Sequence, residues 1–220
     1  MDLLFNPIVG ALITITILVF SAIFHEIAHG YVADRFGDPT ARLMGRLTLD
    51  PRKHIDPFLS IILPLLLFLS NTGIIFGGAK PVPVDPFNLR DGRKDIALVS
   101  LAGPMTNILL AVLGTLIIKL LFPQTSLFLI QHSSFIGFIL GTTVQINLLL
   151  AIFNLLPIPP LDGSKIFAMI LPERIADAYL SLSSVGTLLL LILLLFPIGG
   201  FSLLGVVATL FGYSLKLLGL

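Results

Sequence analysis

The 220-residue sequence contains no cysteine, so disulfides and thiolate metal sites are impossible and any metal must be held by His, Asp, Glu or carbonyl oxygen. Charge is scarce as well. Asp, Glu, Lys and Arg make up 11% of the chain, against roughly 25% in an ordinary soluble domain. Hydrophobic residues reach 56% and the mean hydropathy is +1.05, which marks a polytopic membrane protein. No basic run with interleaved aromatics occurs and the net charge is only +1, so nucleic acid is not an expected partner. A basic start is missing too, the first cation being Arg35. The first apolar segment is therefore expected to stay in the mature protein rather than to be cleaved as a signal peptide. With no internal repeat and no room for a second, soluble domain, residues 1–220 read as one integral-membrane domain.

What is present is a series of apolar runs. A spanning helix needs about 20 mostly apolar residues, which places helices at Pro7 to Ala33, Ile96 to Phe122, Ser134 to Leu156, Leu180 to Phe196 and Phe201 to Leu218. A sixth run, Phe58 to Phe76, is broken by Pro64, Asn71 and Gly73. Five of the thirteen Lys and Arg residues lie between Arg35 and Lys53, and four between Lys80 and Lys94. Both loops are then cytoplasmic, and Phe58 to Phe76 starts and ends on one side as a re-entrant or interfacial segment. The stretch FGGAKPVPVDPFN reads as an edge strand or loop, because proline fixes φ, removes donors and biases its neighbours toward extended geometry. The expected fold is all-α and polytopic, with about five transmembrane helices, the re-entrant or interfacial segment and a small β-type loop region.

Chemistry concentrates in HEIAH at the end of the first apolar run. Histidines four apart on a helix share one face a turn apart, so His25 and His29 can reach one ion. Glu26 lies beside that pair, where it can take a proton from a water on the metal. A chance match is the bland alternative, but a charge near a bilayer centre costs about 2.5 to 3.5 kcal/mol on insertion scales, and Glu26 is one of only two glutamates in the chain. Two histidines and a water leave a tetrahedral ion one protein ligand short. Asp162, in NLLPIPPLDGSK, follows a helix broken by Pro157, Pro159 and Pro160. Alone it reads first as an N-cap or Asx-turn for a helix starting near Ser164. Parity favours the metal: if Phe58 to Phe76 does not cross, Asp162 returns to the face that carries His25 and His29.

HEIAHGYVADRFGD, LAGPMTN and NLLPIPPLDG, in that order on hydrophobic helices, resemble the site-2 protease family of intramembrane zinc metalloproteases in its compact branch without a PDZ insert. The resemblance runs from about Leu12 to Pro172. It implies Zn2+ held by His25, His29 and Asp162, with Glu26 as the general base activating a zinc-bound water to hydrolyse peptide bonds of transmembrane substrates within or near the bilayer. It also implies substrate contacts from Asn154. Asn107 matches another family position, although an interhelical hydrogen bond worth about 1 kcal/mol is the preferred reading. Phe76 to Val84 resembles a re-entrant β region that adds a substrate as an extra strand, with pairing through the N–H groups of Val82 and Val84. His54 and the remaining loop acids read as structural.

The expected partners are single-span transmembrane protein substrates and the lipid bilayer, with no nucleic acid and an oligomeric state left open. The expected location is a prokaryotic cell (inner) membrane with the site toward the cytoplasm. Two rivals remain: a non-proteolytic metal transporter, which needs several acidic or histidine sites along a route, and a scaffold that binds transmembrane helices without cutting.

Overall fold

The computed structural model describes residues 7–56, 62, 66, 80–123, 126–197, 199, 200 and 202–220. These form helices α1 (Pro7–Phe36), α2 (Thr40–Leu43, a single turn), α3 (Gly92–Leu121), α4 (Leu127–Ser133), α5 (Phe135–Asn154), α6 (Asp162–Ile170), α7 (Glu173–Ser181), α8 (Ser183–Leu195) and α9 (Leu203–Leu218). Among the described residues there is no strand. The Lys80–Val84 part of the expected β-type region is coil. Residues 76–79, and Phe58 to Phe76 apart from Ile62 and Leu66, lie outside the described residues.

Local chemistry sets the helix ends. At the start of α3 the Asp95 carboxylate reaches back to accept the Asp91 N–H at 2.8 Å, placing an acid against the positive end of the helix dipole. Ser134 caps α5 by accepting the Gly137 N–H at 3.0 Å. That helix stops just short of Pro157, whose ring disfavours helical geometry in the residue before it. Pro104 lies inside α3, as membrane helices tolerate when neighbours satisfy the freed carbonyl.

Among the described residues three helices, α1, α3 and α5, are long and apolar enough to cross a bilayer. A fourth span is reached only if α7 and α8, which bend by 64° at their junction, are counted as one. The expected helix from Leu180 to Phe196 is therefore two elements. With 16 residues, α9 extends about 24 Å against a hydrocarbon core of about 30 Å, so among the described residues length does not confirm the expected five or so spans.

Packing fixes directions. Phe138 lies beside Gly10, and Asn147 hydrogen-bonds Ser21, so α5 runs parallel to α1. His29 meets Val99 while Ser21 meets Asn107, so α3 is antiparallel to both. Leu203 and Val207 pack with Leu156 and Leu161, and Phe211, Leu215 and Leu218 pack against Ile118, Ile130 and Val144. Hence α9 is antiparallel to α5. The C-terminal ends of α1 and α5 and the N-terminal part of α3 meet at one end of the bundle.

Candidate metal centre

At that end, three side chains from two distant stretches of chain converge. His25 and His29 project from one face of α1, and Asp162 is the first residue of α6. The Nε2 atoms of the two histidines are 3.0 Å apart, and each lies 3.1 Å from Asp162 Oδ2. All three residues are buried. Asp162 does not cap α6: Leu161 holds the cap position, with no side-chain cap bond. Its carboxylate faces the histidines instead, with Lys165 Nζ 3.5 Å from Oδ1.

The partners of the histidines decide which nitrogen is free. Val99 O, a carbonyl, can only accept, so the His29 Nδ1 at 2.7 Å carries the proton. For His25 two asparagines decide it. Asn147 Nδ2 donates to Thr143 O and to Ser21 Oγ, both at 2.9 Å, which turns its Oδ1 toward Asn107 Nδ2 at 2.8 Å. Asn107 Nδ2 also faces Ser21 O at 3.4 Å. Asn107 Oδ1 is thereby left to accept the His25 Nδ1–H at 2.6 Å. Both Nε2 atoms then present lone pairs.

Two lone pairs and a carboxylate oxygen thus point at one another inside the protein. One proton can satisfy only part of that set, whereas a cation satisfies all of it. Ligand atoms about 2.0 to 2.1 Å from a tetrahedral zinc lie about 3.3 Å from one another, close to the triangle found here. The donor set of two imidazoles, one carboxylate and no thiolate fits a three-ligand catalytic zinc site with an open position, and the Nδ1 bonds are the orienting partners such ligands carry. Among the described residues this is the one such group of metal-binding side chains.

Asn107 is thus more than the interhelical tie preferred from sequence, since its oxygen sets the orientation of His25. Gly103, one turn before it, went unread. A Cβ there would lie 2.4 Å from His29 Nε2 and 2.6 Å from His25 Nε2, so only glycine lets α3 approach the histidines. LAGPMTN held the signal, but a small residue in an apolar helix has many uses.

The triangle opens into a cavity of about 350 Å³, also lined by Glu26, Pro81, Val82, Val84, Ser100, Asn154 and Lys165. Asn154 ties one N–H to Leu150 O at 2.9 Å, leaving its second N–H and its oxygen for the cavity. The expectation that Val82 presents its donor for strand pairing needs correction. Its N–H donates to Glu26 Oε2 at 2.7 Å. The N–H of Val84 has no such partner among the described residues.

The profile of Peptidase family M50 matches residues 13–134 and 126–196. The chain belongs to that family. Within it, the chain is similar to YwhC of Bacillus subtilis, named as a candidate zinc metalloprotease, with 38% identity over 186 residues that cover 84% of this chain and 81% of YwhC. Rip2 of Mycobacterium tuberculosis, named in the same way, is 36% identical over 194 residues, 88% of this chain and 71% of Rip2. An archaeal relative with such a name, MJ0611 of Methanocaldococcus jannaschii, is 30% identical over 146 residues, 66% of this chain and 63% of its own. No solved structure gives a significant match. The M50 assignment and the apolar helices together make this a membrane protein.

Proposed function

We propose that the chain is an intramembrane zinc metalloendopeptidase that cleaves single-span transmembrane proteins. The observation that carries this reading is the convergence of the His25, His29 and Asp162 acceptors on one point, in a cavity that Glu26 also lines. The zinc-metalloprotease names of the M50 relatives support it.

His25, His29 and Asp162 would hold the ion, with Asn107 and Val99 keeping both imidazoles turned inward. Zinc would supply a Lewis acid that makes water acidic enough to ionise near neutral pH and that polarises a carbonyl. Glu26 accepts the proton that water gives up as its oxygen bonds to the carbonyl carbon. It then returns that proton to the amide nitrogen as the C–N bond breaks, leaving a carboxylate and an amine. The spare N–H of Asn154 can donate to the carbonyl oxygen as charge grows there. The N–H of Val84 offers an unwound substrate one backbone donor. The active site would face the cytoplasm of a prokaryotic cell, because both basic loops lie at the metal end of the bundle.

The test mixes purified protein with a panel of single-span peptides and maps products by mass spectrometry. Glu26→Gln should keep its zinc and lose nearly all cleavage, whereas Asp162→Ala should lose both. Undiminished turnover by folded Glu26→Gln protein would end the assignment of the base, and full zinc in Asp162→Ala would end that of the ligand.

A further inference from the structure

Between residues 80 and 85 the chain has few donors, since Pro81 and Pro83 have no N–H, and three of the four it has are aimed at distant partners. The Lys80 N–H donates to His54 O at 2.7 Å, the Val82 N–H to Glu26 Oε2 at 2.7 Å, and the Asp85 N–H to Asp38 Oδ2 at 2.7 Å. The run lies tight against α1: a Cβ on Gly30, one turn after Glu26, would sit 2.8 Å from Val82 Cγ1. Arg46 also grips this run, its Nη2 donating to Lys80 O at 2.8 Å and to Pro81 O at 3.2 Å. Arg46 is 7% exposed and pairs with no carboxylate among the described residues. A buried guanidinium is costly unless its donors are used; this one leaves its Nε without a partner among the described residues and turns Nη2 to two successive carbonyls just before Val82.

We propose that Arg46 and the Lys80–Val82 run form a positioning device for Glu26. The inference rests on the reading of Glu26 as the base. A glutamate side chain has several rotatable bonds, and holding it in one geometry carries an entropic cost. The Val82 N–H fixes one carboxylate oxygen and leaves Oε1 to the cavity. Arg46 holds the peptide that supplies this N–H, so a cation outside the cavity acts on the chemistry through the backbone.

Hydrogen exchange, read by mass spectrometry with residue resolution on the substrate-free protein, provides the first arm. Only Lys80, Val82 and Val84 have exchangeable amides between residues 80 and 84. Val82 should exchange at least about tenfold more slowly than Val84, the scale set by a charge-assisted hydrogen bond. Glu26→Ala should abolish that protection while Lys80 stays slow, and Val82→Ala, which keeps the N–H, should retain it. Peptide cleavage provides the second arm. Arg46→Met should lower kcat about tenfold or more with KM nearly unchanged, full zinc content and a faster-exchanging Val82, whereas Arg52→Met in the same loop should change neither kcat nor exchange. A rise in KM at constant kcat for Arg46→Met would make the run a substrate-docking strip and overturn the proposal. A native chain that cleaves while its Val82 exchanges as fast as Val84 would also overturn it, alone. A native chain that cleaves nothing would sink the proteolytic reading and this proposal together.

Discussion

Asn107 is fully buried and uses both ends of its amide, accepting from His25 and donating to Asn147 and Ser21 O. Asn107→Ala would leave the His25 imidazole without its orienting acceptor. Removing such a partner typically weakens metal binding about 10- to 100-fold, so zinc titration against a competing chelator should show a loss of that size. Gly103→Ala should do more. The added methyl has no space beside the two Nε2 atoms, and either α3 or the histidines must move. Zinc content near zero in a protein that still purifies as a folded species is the expected result, and full zinc would mean that α3 shifts freely. In both cases the residue acts through the two histidines, which is why neither stands out in the sequence.

Among the elements, the loop after α1 does the most with the least chain. Asp38 is fully buried and accepts from the Thr40 hydroxyl and from the N–H groups of Thr40 at 3.1 Å and Asp85 at 2.7 Å, with Asn88 Nδ2 at 3.1 Å. Burial alone pushes the carboxyl up, but these donors outweigh it, Thr40 foremost, and hold its pKa below the usual 3.8. The sign follows from linkage: a carboxyl lowered in the folded state contributes stability that is fully present above its unfolded value and is lost as pH falls through its folded one. Thermal midpoints should therefore drop as pH falls below 3.8. In Asp38→Asn that part of the acid dependence should vanish, with a baseline loss on the order of 3 kcal/mol from the mismatched donors. Because Asp38 and Arg46 grip the two ends of the 80–85 run, a weakened loop should also free the peptide at Glu26.

At the scale of the whole molecule, the helix directions predict sidedness. The metal end carries the loops around Arg52 and Arg90, and the far ends of α3 and α9 carry Lys119 and Lys216, which come together where Lys119 Nζ approaches Gly219. The chain has no native cysteine, so single cysteines report cleanly. Cysteines replacing Arg52 and Arg90, both exposed, should react with an impermeant maleimide from one side of a sealed vesicle. Cysteines replacing Lys119 and Lys216 should react from the other. Labelling of Lys216→Cys from the Arg90 side would show that α9 does not traverse, whatever its direction in the bundle.

Sequence alone determined the three long helices and the histidine pair on one face of the first. A run of about 20 apolar residues can satisfy its backbone polar groups within itself in a bilayer only as a helix, and about 3.6 residues per turn puts His25 and His29 on one face wherever the helix lies. Those constraints are local, so α1, α3 and α5 were legible to within a few residues, and HEIAH announced a histidine pair able to reach one ion. Asp162 was legible only as one of two readings, because a carboxylate after a broken helix caps as readily as it binds. Its partner depends on α1 and α5 running parallel, a fact of packing. The bend between α7 and α8, the closeness of Gly103 to the histidines, the asparagine relay and the Val82 N–H on Glu26 lay beyond the sequence for the same reason. Apart from the bend, each is a contact between segments tens of residues apart, and short-range periodicity and spacing say nothing about which distant segment fills the space beside a side chain. Only the packed bundle chose Asn107 rather than any other polar residue to hold His25, and the 80–85 run rather than solvent to meet the carboxylate of Glu26.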